Sequence, residues 1–253
     1  MKSRYIKTEG IILTSVNFGE GHKIIKILTD SLGKIETSAF GVRKTKSRFG
    51  SKLEPFTHTR LMLYRKSEDG LFTINDAEAI SHNSAIREDF QKYVVGNAVI
   101  EPVVRFVETG NKDTELFNLV VDSLNILNDI SNNKTLYLLS IYDLKFLAVM
   151  GYRQQTALCM RCGNPLSGDV FYMDSHFGFP ICESCKSVTA KKVAPSAVKF
   201  VDWATGATLT DAGRVTMSEE TLTTIRELIE YLYIAIYNRG LESWKQLLNQ
   251  GGK

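Results

Sequence analysis

The run Lys23-Ile24-Ile25-Lys26-Ile27-Leu28-Thr29, the connection Asp30-Ser31-Leu32-Gly33 and the run Lys34-Ile35-Glu36-Thr37-Ser38-Ala39-Phe40 decide the fold of the first part of this chain. The first run is β-branched and apolar and the second alternates, while Asp, Ser and Gly between them suit a short hairpin. Upstream, Thr8-Glu9-Gly10-Ile11-Ile12-Leu13-Thr14 is a third strand, in which Gly10 marks a bulge or a barrel bend. Phe18-Gly19-Glu20-Gly21-His22 supplies the turn glycines between it and the next strand. Downstream, strands are expected from Phe56 to Tyr64 and from Leu71 to Ile80, joined by Ser67-Glu68-Asp69-Gly70. Five strands in residues 1–82 match an OB-type barrel in size, and an SH3-like barrel fits the pattern too.

Beyond Ser84 the apolar period changes from two to between three and four. Phe90, Tyr93, Val94, Asn97, Ile100 and Val104 share one helical face, with Pro102 expected to kink or end the helix. Leu116, Leu119, Val120, Leu124, Leu127 and Ile130 mark a second helix. A third, Thr135 to Met150, is apolar nearly all round and belongs in the middle of a bundle; Asn132 or Asn133 is its expected cap and Gly151 its stop. Pro195 opens a further helix, Ser218 with Glu219 and Glu220 opens another, Gly240 is expected to stop that one, and a short last helix follows from Leu241. The predicted architecture is multidomain β plus α: an OB-type barrel over residues 1–82, then an all-α domain over 83–253 with an inserted four-cysteine zinc module at about 157–188.

The module rests on the four cysteines of the chain, Cys159-Met160-Arg161-Cys162 and Cys182-Glu183-Ser184-Cys185, two C-x-x-C pairs separated by 19 residues. This is the spacing of a four-thiolate zinc site, and Gly163 suits the turn behind the first pair. A closed site of this kind leaves no position for a reacting water, so the zinc, one per chain, is structural. Two disulfides, or a thioredoxin-like redox pair, are the competing readings. No signal peptide opens the chain, which favours reduced thiols and a cytoplasmic location, and neither pair follows a strand and opens a helix. His176, between the pairs, reads as a surface or turn residue.

The net charge of +3 hides an asymmetry: residues 1–66 carry 14 Lys and Arg against 5 Asp and Glu, and the rest carry 17 against 23. A basic β module on an acidic body implies an anionic partner for the first part. The charge peaks in Gly41-Val42-Arg43-Lys44-Thr45-Lys46-Ser47-Arg48-Phe49-Gly50-Ser51-Lys52, which holds five cations and no acid. Arg43, Lys44, Lys46, Arg48 and Lys52 are candidate phosphate contacts, and Phe49 is either a base stacker or an anchor for the loop. No phosphate-binding glycine loop, no H-E-x-x-H, no metal-binding carboxylate cluster and no run of 18 apolar residues is present, so neither nucleotide-driven nor membrane-spanning chemistry is expected. From the residues alone, the reading is a basic β-barrel on a zinc-stapled helical body that binds nucleic acid. A protein-docking scaffold with an RNA- or DNA-binding barrel is the alternative.

Three segments together resemble the RecO family of recombination mediator proteins. One is the strand Lys34 to Phe40 running into Gly41-Val42-Arg43-Lys44-Thr45-Lys46-Ser47-Arg48 and then Leu53-Glu54-Pro55-Phe56. Another is Leu144-Lys145-Phe146-Leu147-Ala148-Val149-Met150-Gly151-Tyr152 ahead of a cysteine knuckle, with Met150 where the family has leucine. The third is the cysteine quartet. The resemblance implies an N-terminal OB fold, a helical domain with a zinc module, and no enzymatic activity. It further implies binding of single- and double-stranded DNA, strand annealing, and recombinase loading onto strands coated by single-strand-binding protein. The partners it implies are RecR and the C-terminal tail of that protein, in a cytoplasmic, nucleoid-associated setting.

Overall fold

The computed structural model describes residues 5–44, 47–67, 70–166, 170–174 and 178–250, with residues 248–250 described by backbone alone. The turn residues Glu68 and Asp69, the loop cation Lys46 and His176 lie outside the described residues. Two compact units emerge, Met1–Asp129 and Ile130–Lys253.

In the first unit β1 (Tyr5–Phe18), β2 (His22–Thr29), β3 (Gly33–Ala39), β4 (His58–Tyr64) and β5 (Phe72–Ser81) close into a barrel in the order β1-β2-β3-β5-β4. Closure depends on the length of β1, whose first half pairs with β4 and whose second half pairs with β2. The β3–β5 seam is parallel and short, limited to Thr37 opposite Phe72 and Ser38 opposite Thr73. Ile12, Ile25, Ile27, Leu61, Leu63, Phe72 and Ile74 fill the interior, each contributing ~1.5–3 kcal/mol by burial. The bulge in β1 falls between Ile12 and Thr14 and not at Gly10. Gly10 has a different role: a Cβ there would lie 2.6 Å from Ile27 Cγ2, so the missing side chain makes room for an interior isoleucine.

The barrel does not stand apart from the helices that follow it. α1 (Ser84–Glu88), α2 (Phe90–Phe106) and α3 (Thr114–Asp129) belong to the same compact unit. Asn83 Nδ2 donates to Phe56 O (3.0 Å), Arg87 Nη1 to Pro55 O (2.7 Å), and the His58 ring meets the Phe117 ring edge-on at 5.9 Å. Compactness therefore places the division at residue 129, later than the change of sequence period. α2 runs through Pro102 to Phe106 instead of ending there. Its last turn is held by the Lys34 ammonium, which donates to Val103 O and Val104 O at 3.3 and 2.8 Å, where a cation also complements the helix dipole.

The second unit is built on α4 (Thr135–Val149), followed by β6 (Phe171–Asp174), β7 (Gly178–Ile181), β8 (Lys191–Val193), α5 (Pro195–Gly206), α6 (Glu219–Tyr237) and α7 (Glu242–Gln250). α4 buries residues on every side, as its lack of amphipathicity implies. Asp143, fully buried at its middle, accepts from Tyr233 Oη and Trp244 Nε1, both at 2.8 Å, and so ties α6 and α7 to the central helix. A 3-10 turn, Asn132–Lys134, precedes α4 and makes Lys134 its cap residue, so neither asparagine takes that place. Gly151 does follow the end of α4, with φ +89°. Ser218 caps α6 by accepting from Thr221 N at 3.2 Å. Asn238, left-handed at φ 57°, terminates α6 ahead of Gly240 because asparagine tolerates that region.

Candidate metal centre and nucleic-acid interface

The three short strands of the second unit, in the order β7-β6-β8, carry the cysteine cluster. Leu158 bridges Pro165, and Cys159 N donates to Asn164 O at 2.9 Å, folding the first pair into a knuckle. Gly163, at φ +71°, closes it by donating to Cys159 O at 2.9 Å, so the glycine meets a real backbone requirement. The second pair follows β7: Cys182 leads into the turn Glu183–Cys185, and Cys185 N donates to Cys182 O at 3.1 Å. Met160 N to Pro180 O, 2.9 Å, binds one knuckle to the other.

All four sulfurs lie within 4.8 Å of one another, and Cys162 Sγ is 3.9 Å from Cys182 Sγ. A tetrahedral metal with bonds of about 2.3 Å requires sulfur–sulfur edges of about 3.8 Å. A disulfide requires about 2.05 Å, and all four cysteines are free thiols. Electrostatics point the same way. Burial pushes the Cys159 thiol up, but the backbone amides of Cys182, Cys162 and Arg161 aimed at its sulfur outweigh that and bring it down to about 6. Hydrogen bonding to Cys182, followed by loss of solvation, pushes the Cys185 thiol up to about 12. Bare sulfurs this close resist a full set of charges, whereas a soft divalent cation would stabilise four thiolates together. The donor set and its spacing thus fit a structural metal site.

Apolar support is thin. Cys159, Tyr172 and Ile181 form a small cluster with partly buried Leu166, Val170 and Ala190 beside it. Polar ties add to it: Arg161 Nη1 donates to Cys185 O at 2.6 Å, and the Lys186 ammonium contacts both Glu183 (2.9 Å) and the Tyr172 hydroxyl (3.0 Å).

The basic loop connects β3 to β4, which are not neighbours, so it is a crossover at one end of the barrel and not a hairpin. Its first residues are pinned: Arg43 N donates to Gly21 O (3.3 Å), Arg43 Nη1 to Gly19 O (3.4 Å), and Gly41 N to His22 Nδ1 (3.2 Å). Arg43, Lys44 and Arg48 are exposed and Lys52 is half-buried, its ammonium donating to Arg48 O at 3.3 Å. Among the described residues none of these four forms an ion pair. Elsewhere on the barrel Lys23 is paired with Glu54, Lys26 with Glu36, and Arg60 with Glu9 and Glu78, while Lys34 serves backbone carbonyls and Arg65 lies over the Phe72 ring. Four cations without an ion pair among the described residues thus lie together on this one loop.

Of the two readings of Phe49, base stacker or loop anchor, the packing favours the anchor. Phe49 is 2% exposed and packs into the barrel core, with the Arg48 guanidinium 5.0 Å above its ring. The aromatic pins the loop through the hydrophobic effect, and a base could reach it only if it left the core. The exposed rings near the loop are Phe18 and Phe40, at the ends of β1 and β3. An aromatic residue abutting a turn glycine, Phe18-Gly19 and Phe40-Gly41, was the available sequence signal, hidden among strand residues of the same type.

Comparison with known proteins bears on both units. The family described as recombination protein O, N terminal, matches residues 1–83, and that described as recombination protein O, C terminal, matches residues 87–245. The DNA repair protein RecO of Bacillus pumilus is 30% identical over 247 residues, 97% of this chain and 94% of its own length. Those of Streptomyces coelicolor and Frankia casuarinae are 31% and 33% identical, covering 79% and 81% of this chain and 84% and 86% of their own. With both family domains matched in order and this likeness across nearly the whole length, the chain belongs to the RecO family of DNA repair proteins, which are recombination mediators and not enzymes.

Proposed function

We propose that this protein binds single- and double-stranded DNA through the β3–β4 loop, anneals complementary strands, and assists recombinase loading onto strands coated by single-strand-binding protein. Family membership supports a repair and recombination role, and one observation carries the DNA contact: Arg43, Lys44, Arg48 and Lys52 lie together on one loop with no carboxylate partner among the described residues. The strand order β1-β2-β3-β5-β4 with a closed ring supports the OB-type reading, in which this end of the barrel serves nucleic acid. Arg43, Lys44, Lys46, Arg48 and Lys52 contact phosphates, which position a strand without reading its sequence. RecR and the acidic C-terminal tail of single-strand-binding protein are the protein partners, in a nucleoid-associated cytoplasmic setting. A zinc ion held by Cys159, Cys162, Cys182 and Cys185 folds the inserted module.

The test is a quadruple alanine variant at Arg43, Lys44, Lys46 and Arg48, titrated with single strands and duplex over a range of salt. About four phosphate contacts correspond to a slope of log K against log salt near −3 on a single strand. The variant is expected to bind both forms more weakly with a visibly shallower slope. Unchanged affinity and slope in the folded variant would move the DNA site off this loop.

A further inference from the structure

We propose that Phe18 and Phe40 form a stacking platform for unpaired bases, making this end of the barrel selective for single-stranded over double-stranded nucleic acid. The proposal rests on the DNA-binding reading above and names the groups that would distinguish the two forms. Phe18 pairs in register with His22, and Lys23 with Ala39, so one step further along the same strands His22 comes level with Phe40. The three rings thus form a row across β1, β2 and β3, and side chains at one level of a sheet share a face. The His22 and Phe40 rings meet edge-on with centroids 4.9 Å apart. His22 is held in place because its Nδ1 accepts from Gly41 N at 3.2 Å.

Phe18 and Phe40 nevertheless remain 58% and 54% exposed. Exposed apolar rings rimmed by polar residues mark a candidate interaction surface. What lies beside them specifies the occupant. Gly19 O and Gly21 O, in the turn directly after Phe18, accept from Arg43, and Gly41, directly after Phe40, opens the basic loop. Arg43 and Lys44 are therefore fastened next to exposed rings. Cations for phosphate next to flat apolar faces for bases is the combination that captures an unpaired strand. A duplex hides its base faces in its own stack and offers this surface only phosphate, which the loop alone can hold.

The experiment uses the full chain and three labelled probes: an oligothymidylate, an abasic oligonucleotide of the same length, and a duplex. Stacking makes the wild type bind oligothymidylate at least about tenfold more tightly than the abasic strand. Phe18→Ala and Phe40→Ala should each weaken oligothymidylate binding about tenfold, roughly 1.4 kcal/mol, while leaving the abasic and duplex probes within about twofold. Phe40→Trp should retain binding and Phe40→Leu should lose it, since leucine keeps the apolar character without the flat face. Both rings are exposed, so the variants should melt with the wild type. Equal affinity of the wild type for oligothymidylate and abasic strand overturns the platform. So do equal losses on all three probes, or no change on any, which would assign the rings to a protein partner. A wild type that binds none of the probes overturns the DNA-binding reading itself.

Discussion

Phe49 and Gly33 show how single positions carry different burdens in neighbouring turns. Phe49 could be read from the sequence as a base stacker or a loop anchor, and the structure buries it in the barrel core, where it anchors the loop. Phe49→Ala should cost ~3–5 kcal/mol of stability, measured by denaturant unfolding, while DNA affinity per folded molecule changes little. A large affinity loss at unchanged stability would return Phe49 to the binding surface. Gly33 closes the β2–β3 turn at φ +66°, and a Cβ there would lie 2.1 Å from Asn111 O. Gly33→Ala combines left-handed strain of ~1–2 kcal/mol with a backbone collision, so it should destabilise the chain by more than ~2 kcal/mol. A melting temperature equal to that of the wild type would contradict this. Lys34, the next residue, is drawn below the ordinary lysine value by burial, yet its ammonium serves the end of α2.

At the scale of the element, the cysteine module contrasts with α4. α4 needs no cap side chain or metal because its neighbours cover it on all sides, and Asp143 supplies one satisfied polar anchor within that apolar setting. The module between α4 and α5 has three strands of three or four residues each and a small apolar cluster. Such a piece cannot offset its own chain entropy without a staple. Cys182→Ala should therefore abolish stoichiometric zinc in metal analysis and expose residues 157–188 to limited proteolysis. The β-barrel, with a separate core, should stay folded. A strong chelator should reproduce the effect in the wild type. Protein purified without chelators that contains no zinc, or that has a disulfide within either pair, would defeat the structural-zinc reading.

On the scale of the whole molecule, the charge asymmetry sets the first 66 residues, with 14 Lys and Arg against 5 Asp and Glu, apart from the rest of the chain. The barrel end presents cations without partners, while residues 67–253 are net acidic, with 17 Lys and Arg against 23 Asp and Glu. On the proposed function, a strand would be drawn to that basic part of the protein. The sequence holds no phosphate-binding glycine loop, so annealing is expected to proceed without nucleotide, with base pairing as the source of free energy. In the proposed mechanism the protein would reduce the repulsion between two phosphate backbones. Raised salt should slow annealing by weakening strand capture, and the quadruple loop variant should anneal poorly. A strict requirement for ATP in a strand-annealing assay, or full activity in that variant, would contradict this mechanism.

Periodicity and turn chemistry were enough to read the five strands, the helical faces, Ser218 as a cap and Pro195 as a helix start, because each depends on residues close together in the chain. The cysteine quartet was legible for a similar reason: its spacing carries the ligand geometry. Long-range packing decided the rest. Whether Phe49 points inward depends on the space left by Ile12, Leu53 and their neighbours in the barrel core. That α2 continues past Pro102 accompanies support of its last turn by Lys34, a strand residue distant in sequence. The alignment of Phe18, His22 and Phe40 depends on the register of three paired strands, which is seen only once the strands are assembled. Local patterns thus determined the elements of this protein and singled out the four cysteines that the fold brings together. The tertiary structure decided which aromatics face water, because burial is a property of the assembled surface and not of any one segment.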